Sequence, residues 1–500
     1  MKYPSKKYSD DAFNSVWGNA CPDGGIKLGT LYHNAKNNGW VSPKVNLANT
    51  TSLTGDKDIL NGRLFAEANV NRLVFIFETG NVLKYKETGW SREPYETAFK
   101  AAIKIVDDLQ VKADKLLRKD PKSDTGKQLD KHVKYSSTAQ KLNDMIKVAR
   151  SLPGMSVSLS EFDSEPWVIG VQNGILDLRK TKLLKLTPEK LVSKRANVEF
   201  DPEAKCPLFD RFLAEIQPNK EVRRLLRQLA GIWLTGEPQE QKLIFFYGCG
   251  ANGKTTYIEL MAWLLGDYSQ PIQTEMLMPQ KRNSQSHSAD ILALKGCRLA
   301  YCNEVGEGGR LADDAVKRFT GLDSLSARAP HAKEAVVFRP SHNLVMIGNH
   351  KPTIIDTSYG MWRRLLLIHF NTLVPEDEQD PDLLKKLKKE GSGILNWAQA
   401  GLSDYRKNGL QIPAEIRKAI NEYKSEEDII GQWIEECCDE ISSVLTLKRD
   451  LYRNYKWWSE NAGHHPLAQV RFTRRLTERK YQTDGTKTKI IGLKLKNDVF

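Results

Sequence analysis

Several features that would assign a protein to a membrane, secreted or metal-binding class are missing from this sequence. No run of about 18 apolar residues occurs, so no membrane span is predicted. No apolar core follows the basic first residues, which argues against a secretory signal. The seven cysteines form no CxxC pair and no Cys/His set with zinc spacing, so reduced thiols in a cytoplasmic compartment are the simplest interpretation.

Positive charge is what the sequence has in excess, and most of it lies near the carboxyl end. The formal net charge is +13, which favours a polyanionic partner. Residues 441–500 contain 13 Lys/Arg and 5 Asp/Glu, a net charge of +8. At 500 residues the chain is too long for one hydrophobic core, so we expect several domains.

A glycine-rich segment, Gly248-Cys-Gly-Ala-Asn-Gly-Lys254-Thr255, fits the pattern G-x-x-x-x-G-K-[ST]. It follows the apolar run 243–247 and opens a helical pattern at 255–265, which is the context that the motif requires. The glycines let backbone N–H groups turn towards phosphate oxygens, the lysine reaches the β/γ-phosphates, and the threonine hydroxyl ligates Mg²⁺. The residues predicted to bind ATP are Gly248, Gly250, Asn252, Gly253, Lys254, Thr255 and Thr256.

Hydrolysis at such a loop also needs an acid at the end of a neighbouring strand. The apolar run that starts at Arg298 ends at Glu304, which is predicted to be the catalytic base and to join Thr255 in the metal site. Asn303 stands where an aspartate is common, so the Mg²⁺ shell is expected to depend more on Thr255 and water. Glu307 is a reserve candidate for the acid.

Two further motifs place polar residues beside apolar runs. Asn349 ends the run 344–349 and is predicted to orient the attacking water or to sense the γ-phosphate. The segment 360–364 contains Arg363 and Arg364, and in ring ATPases an arginine of the next subunit stabilises charge on the transferred phosphoryl group. Either arginine fits this role, and the sequence does not choose between them.

In their order along the chain, these motifs resemble those of superfamily 3 helicases, specifically the primase-helicases of phages, plasmids and poxviruses. GCGANGKTT resembles their Walker A motif, LAYCNE their Walker B motif, and residues 316–328 their B′ motif. IGNHKP resembles the sensor-asparagine motif, and GMWRRLLLIHF resembles the arginine-finger segment. The resemblance is strong over residues 165–375 and loose over most of the remaining chain.

This resemblance implies an α/β fold with an AAA+-like P-loop motor domain, a helical N-terminal region and a C-terminal winged-helix-like domain. It also implies a homo-oligomeric ring, expected to be a hexamer, that holds ATP and Mg²⁺ between subunits. A β-hairpin that grips DNA is implied as well, and residues 328–339 suit it, with His331 and Lys333 at the tip. Lys317 and Arg328 are further candidates for DNA or nucleotide contact, and an ordinary surface hairpin is the alternative.

Near the carboxyl end, one helix is predicted around residues 451–458 and a second, basic helix over 468–480. Arg471, Arg474 and Arg475 on the second helix are the DNA-binding candidates. A hairpin pattern follows over residues 481–496. Helix, basic helix and basic hairpin together resemble a winged-helix domain, and the alternatives are a solvated face or a protein-contact module.

Residues 13–40 resemble the connector that these proteins place after a primase or polymerase domain, so such a domain or protein is an expected partner. The predicted domains are a connector (1–90), a mainly helical helicase-associated domain (91–220), the superfamily 3 AAA+ ATPase domain (221–380), a helical segment (381–440) and the winged-helix-like basic domain (441–500).

The sequence therefore predicts an ATP-dependent replicative DNA helicase, an ATP hydrolase that acts on single-stranded or forked DNA. A cytoplasmic location is expected, in the host cytoplasm if the gene belongs to a phage or plasmid. Two alternatives remain open: a P-loop initiator or loader that remodels DNA without processive unwinding, and a DNA-binding scaffold whose assembly is driven by ATP.

Overall fold

The computed structural model describes residues 56–279, 288–303, 309–328, 335–354 and 358–496. These residues form two compact units. The first unit contains residues 56–164, 173–175 and 184–194, and the second contains the other described residues. Across these ranges, no helix combines the length and apolar character needed to cross a bilayer.

A small sheet and four helices make up most of the first unit. Its elements are α1 (Lys57–Asn69), β1 (Leu73–Ile76), β2 (Val82–Lys86), β3 (Gly89–Glu93), α2 (Glu96–Lys119), α3 (Asp124–Ser136), α4 (Ala139–Arg150) and β4 (Ser156–Val157). The sheet has the order β3-β2-β1-β4. Helix α2 buries Ala98, Ala102, Ile105 and Leu109 at helical spacing, so one apolar face packs into the core.

More strands and helices follow in the rest of the chain. They are β5 (Val168–Val171), β6 (Gly174–Asp177), β7 (Lys182–Leu184), α5 (Pro207–Ile216), α6 (Lys220–Trp233), β8 (Leu243–Tyr247), α7 (Lys254–Leu265), β9 (Ser269–Pro271), α8 (Ser288–Ala293), β10 (Leu299–Asn303), α9 (Asp313–Thr320), β11 (Leu325–Ala327), β12 (Val336–Phe338), β13 (Asn343–Gly348), α10 (Tyr359–Trp362), β14 (Leu365–His369), α11 (Leu383–Lys388), α12 (Gly391–Asn408), α13 (Ala414–Glu426), α14 (Ile429–Cys437), β15 (Cys438–Leu447), α15 (Lys448–Asn461), α16 (Gln469–Arg479) and β16 (Lys489–Leu495).

The core of the second unit is a parallel five-stranded sheet in the order β14-β8-β13-β10-β9. Every residue of β13 is buried, as expected for a parallel strand that helices cover on both faces. Because the strands are parallel, the residues that follow β8, β13, β10 and β14 all lie at one edge of the sheet. The chain is therefore a mixed α/β protein in which the glycine-rich loop and Asn349 lie at the same edge of this sheet.

The carboxyl-terminal part of this unit differs from its sequence prediction. The predicted hairpin over residues 481–496 is reduced to one bridge between Thr483 and Ile490. Strand β16 pairs over most of its length with β15, which begins at Cys438 inside the segment that was predicted to be helical. Most side chains of β15 are exposed, so the strand lacks the apolar alternation that would have revealed it. Helices α15 and α16 lie between the two strands in sequence.

A buried histidine ties α9 to the central sheet. His342 precedes β13 with 2% of its surface exposed, and its Nε2 donates to the carbonyl oxygen of Phe319 at 3.0 Å. Burial lowers the pKa of His342 to about 4, so the imidazole is neutral at pH 7. The unfolded chain binds a proton near pH 6.5, whereas the folded chain does not. Stability is therefore lost as the pH falls from 6.5 towards 4.

His342→Gln is expected to remove much of this acid sensitivity, because a glutamine amide keeps the donor and does not titrate. Between pH 7 and pH 5, His342 costs the wild type about 2 kcal/mol of unfolding free energy. Urea denaturation of both proteins at the two pH values measures the difference. An equal loss of unfolding free energy in wild type and variant would contradict the assignment.

Candidate nucleotide-binding site

The glycine-rich loop joins the end of β8 to the start of α7. Gly248 and Gly253 have φ angles of 140° and 78°, in the left-handed region that favours glycine. A Cβ on Gly248 would lie 2.1 Å from the carbonyl oxygen of Phe370, and one on Gly253 would lie 2.5 Å from Cγ2 of Ile216. Glycine is therefore required at both positions by backbone conformation and by space.

Lys254, the first residue of α7, places its ammonium group inside this loop. Its side chain is largely buried, with 4% of the residue exposed. The Nζ atom donates to the carbonyl oxygens of Gly248 at 2.6 Å and Cys249 at 3.1 Å, and to Oδ1 of Asn349 at 3.4 Å. A positive charge is thus fixed inside the loop, between two of its carbonyl oxygens and the amide oxygen of Asn349.

Asn252 holds the loop in shape from within. Its buried amide donates to the carbonyl oxygen of Cys249 and, at 2.8 Å, to that of Phe370 beyond the end of β14. The backbone N–H of Val374 donates to the carbonyl oxygen of Ala251 at 2.9 Å. These contacts clamp the loop against the segment that follows β14. Asn252 therefore fits a supporting role in the loop better than direct nucleotide contact.

The remaining residues predicted to bind ATP lie on the open side of the loop. No heavy atom lies within 4 Å of the Cβ position of Gly250, so this side is not covered by the described residues. Thr255 is exposed and Thr256 half-buried in the first turn of α7. An exposed threonine hydroxyl at a helix amino terminus is well placed for Mg²⁺ or phosphate.

The sequence prediction of an acid on a strand neighbouring β8 needs correction. Strand β13 lies between β8 and β10, so Asn349 follows the neighbouring strand and the run that ends at Glu304 follows the next one. At the usual strand spacing, β10 is on the order of 10 Å from β8. Asn303 is exposed at the end of β10, whereas Glu304 and Glu307 lie outside the described residues. The order of strands within a sheet does not follow from their order along the chain, so the sequence could not predict it.

The paired arginines lie at the opposite edge of the sheet from the glycine-rich loop. They precede β14, and the N–H of Leu243 at the start of β8 donates to the carbonyl oxygen of Arg364 at 2.7 Å. The loop follows the other end of β8, about 13 Å further along the strand. Arg363 and Arg364 are therefore placed away from the loop of their own chain.

The two arginines also differ in environment. Arg364 is partly buried, donates to the carbonyl oxygen of Gly360 at 2.6 Å, and has its pKa lowered by burial and by the neighbouring Arg363. Arg363 is exposed and contacts Oε1 of Gln241 at 3.4 Å. Arg363 is thus the one whose guanidinium group is available to another molecule.

Beside the loop lies a cleft of about 490 Å³ that no sequence motif predicts. The rings of Tyr247 and His369, the last residues of β8 and β14, stack with their centroids 4.6 Å apart. Burial lowers the pKa of His369; the carboxylate of Glu415 opposes this shift, and the charges of Lys351 and Lys254 add to it. Lys351 also lines the cleft. In the sequence, this cleft is indicated only by Lys351, a lysine two residues after the predicted sensor residue Asn349.

Of the hairpin predicted over residues 328–339, only β12 is a described strand, and its partner β11 lies just before the predicted range. Strands β11 and β12 pair antiparallel, from Leu325 opposite Phe338 to Ala327 opposite Val336. Arg328 is exposed where the stem ends, while His331 and Lys333 at the predicted tip lie outside the described residues. Lys317 lies on α9 and is half-buried.

On α16, the three predicted arginines differ in exposure. Arg471 and Arg474 are exposed, and Arg474 pairs with Glu478 at 3.6 Å. The side chain of Arg475 is only 13% exposed and lies 3.5 Å from the same glutamate. Arg471 and Arg474 are therefore the more accessible cations on this helix.

Two family models match the sequence. One, described as "D5 N terminal like", matches residues 62–218. The other, described as a family of unknown function (DUF5906), matches residues 246–364, which include the glycine-rich loop, Asn349 and both arginines.

Viral proteins named as helicase or primase are similar to the chain. "Putative helicase L207/L206" of Acanthamoeba polyphaga mimivirus is 28% identical over 341 residues, which cover 62% of this chain and 35% of that protein. "Putative primase C962R" of African swine fever virus (isolate Warthog/Namibia/Wart80/1980) is 25% identical over 214 residues, which cover 41% and 22%. The chain thus spans about a third or less of the length of these relatives.

Among solved structures, the A form apo structure of the NrS-1 C terminal region aligns with 85% of this chain and 96% of that one, at 11% identity and a TM-score of 0.47. The two matched family models, together with the viral relatives named as helicase and primase, support a protein of the primase-helicase family.

Proposed function

We propose that this chain is the motor of an ATP-dependent replicative DNA helicase of the superfamily 3, AAA+ type. The observation that carries the proposal is the position of Lys254, whose buried ammonium group lies within the glycine-rich loop and 3.4 Å from Asn349. A fixed cation and a neutral amide at one edge of a parallel sheet are suited to bind a nucleoside triphosphate and to detect its terminal phosphate. The viral relatives named as helicases support the same function.

Hydrolysis is assigned to residues that follow three strands. Lys254 and the loop amides bind the phosphates, and Asn349 orients the attacking water. Glu304, which is assigned from its sequence motif, accepts the proton from that water. Thr255 and Glu304 would hold Mg²⁺, which neutralises phosphate charge when bound, and the exposure of Thr255 at the start of α7 fits this role.

The arginines support a ring in which ATP is held between subunits. Arg363 is exposed at the sheet edge remote from its own loop, and this position supports a role in the site of another subunit. An arginine supplied in this way stabilises charge on the transferred phosphoryl group. Arg364, bonded to Gly360, supports α10 instead.

DNA contact is assigned to the β11–β12 hairpin and to the basic carboxyl-terminal part. Lys333 at the hairpin tip would contact backbone phosphates without regard to sequence, which suits a translocating motor. Arg471 and Arg474 on α16 would contact DNA in a winged-helix-like arrangement. The expected partners are single-stranded or forked DNA and a primase or polymerase domain or protein.

Unwinding of a forked DNA in the presence of ATP and Mg²⁺ tests the proposal. The wild type is expected to separate the strands. Lys333→Ala is expected to lose unwinding at least ten-fold while it keeps ATP hydrolysis, because the proposed phosphate contact of each subunit is removed. Lys389→Ala removes an exposed lysine of the second unit and serves as the matched control.

The outcome separates the helicase from its alternatives. If the wild type hydrolyses ATP but leaves the fork intact, the protein is a loader or initiator. If it binds DNA and assembles with ATP but does not hydrolyse it, the scaffold function is correct.

A further inference from the structure

Tyr423, on the last turns of α13, joins two parts of the candidate ATPase. Its side chain is buried, with 2% of the residue exposed, and its hydroxyl donates to the carbonyl oxygen of Pro352, three residues after Asn349. Its ring packs edge-on against Trp362 at a centroid distance of 5.5 Å. Trp362 ends α10 and directly precedes Arg363. Tyr423 therefore touches the segment after the sensor residue and the helix before the exposed arginine.

Two acidic residues that follow Tyr423 near the end of α13 bind residues 351–354. Oε2 of Glu426 pairs with Nζ of Lys351 at 3.0 Å, and Oε2 of Glu427 accepts the backbone N–H of Ile354 at 3.0 Å. Together with the tyrosine hydroxyl, these contacts hold residues 351–354 at three points along the end of α13. The segment that follows Asn349 is therefore attached to α13 at several points.

The opposite side of this segment contacts the chain that follows the predicted catalytic acid. The backbone N–H of Thr353 donates to the carbonyl oxygen of Gly309 at 2.9 Å, and that of Leu311 donates back to Thr353 at 3.1 Å. Residues 351–354 thus lie between α13 and the region after Glu304.

We propose that Tyr423 is a positioning residue that couples Asn349 in one nucleotide site to the Arg363 presented to the next site. This inference rests on the proposed function, because it requires ATP hydrolysis between subunits. Contact of Asn349 with a terminal phosphate shifts residues 349–354, and the hydroxyl bond to Pro352 passes the shift to the ring of Tyr423. That ring packs on Trp362, so α10 and Arg363 move with it.

Tyr423→Phe tests the coupling, because it removes the hydroxyl and keeps the ring against Trp362. The expected result is a kcat for ATP hydrolysis about ten-fold lower, with KM unchanged within about two-fold, since the loop around Lys254 is intact. The Hill coefficient for ATP, above 1 in the wild type, is expected to fall towards 1.

The matched control is Tyr405→Phe on α12. This change removes a hydroxyl that donates to Glu240 at 2.7 Å. Both variants lose one tyrosine hydrogen bond, so a merely structural effect would appear in both as a lower melting temperature. We expect the change in kcat and in the Hill coefficient in Tyr423→Phe alone. Equal behaviour of the two variants, or a wild-type Hill coefficient of 1, overturns the inference.

A second variant covers the case in which Tyr423→Phe does not fold. Glu427→Ala removes the acceptor for Ile354 and leaves the tyrosine in place, and Glu422→Ala is its control on the same helix, where Glu422 pairs with Lys418 at 3.7 Å. Glu427→Ala is expected to lower kcat and the Hill coefficient, and Glu422→Ala to change neither. Wild-type kinetics in Glu427→Ala contradict the coupling.

ATP hydrolysis by the wild-type protein distinguishes a failure of the proposed function from a failure of the coupling. If it does not hydrolyse ATP, the proposed function is wrong and the inference falls with it. If it hydrolyses ATP and the tyrosine and glutamate variants match their controls, the proposed function stands and only the coupling is wrong.

Discussion

Lys254→Met is expected to lower ATP hydrolysis by about 10³-fold or more and to weaken ATP binding strongly. The ammonium group is held by the carbonyl oxygens of Gly248 and Cys249 and by Oδ1 of Asn349, so its position is fixed before a nucleotide arrives. A methionine of similar length fills the space without the charge. The loop then presents carbonyl oxygens to the phosphates with no cation to offset them.

Binding of a fluorescent ATP analogue and release of phosphate measure the two effects. Lys386→Met is the matched control, because Lys386 is an exposed lysine of the same unit that pairs with Asp380. It is expected to bind and hydrolyse ATP like the wild type. Full ATPase activity in Lys254→Met would show that the glycine-rich loop is not the nucleotide site.

The local structure of the candidate site follows from the sequence because short-range patterns determine it. The apolar run before the loop predicts a strand over 243–247, and the structure has β8 over the same residues. The helix after the loop begins at Lys254, one residue before its predicted start, and ends at Leu265 as predicted. The strand and the helix each correspond to one continuous segment with a regular apolar pattern. Hydrophobic periodicity predicts secondary structure best in such segments.

Contacts between distant segments could not be predicted in the same way. Tyr247 and His369 stack although 121 residues separate them in the chain, and the bond from Tyr423 to Pro352 spans 71 positions. The insertion of β13 between β8 and β10 is also a matter of strand order, which hydrophobic periodicity does not encode. The residues proposed to carry hydrolysis thus form recognisable motifs in the sequence, whereas those proposed to position them are apparent only in the folded chain.

The choice between the two arginines shows how burial decides what a motif leaves open. The sequence presents Arg363 and Arg364 as equals. In the structure, Nε of Arg364 is buried and another of its nitrogens is bonded to Gly360, so moving this side chain would break a local contact. Arg363 is exposed and can extend towards another subunit with little loss.

Arg363→Ala is expected to lower ATP hydrolysis by about 10³-fold while ATP binding stays near the wild-type level. The guanidinium group is remote from its own loop, so under the proposed function its loss removes charge stabilisation at the site of a neighbouring subunit. Arg211→Ala, which truncates an exposed arginine on α5, is the control and is expected to be fully active. Phosphate release and nucleotide binding are measured for both variants.

Mixing the two inactive variants tests the assignment to the neighbouring subunit. In a randomly assembled ring of Arg363→Ala and Lys254→Met subunits, about one quarter of the sites combine an intact loop with an intact arginine from the next subunit. Activity is therefore expected to return to a substantial fraction of the wild-type rate, although neither variant hydrolyses ATP by itself. If Arg363 served its own loop, every site would still lack one of the two groups and the mixture would remain inactive. Recovery of phosphate release on mixing thus depends on both the ring and the placement of Arg363 at the far edge of the sheet.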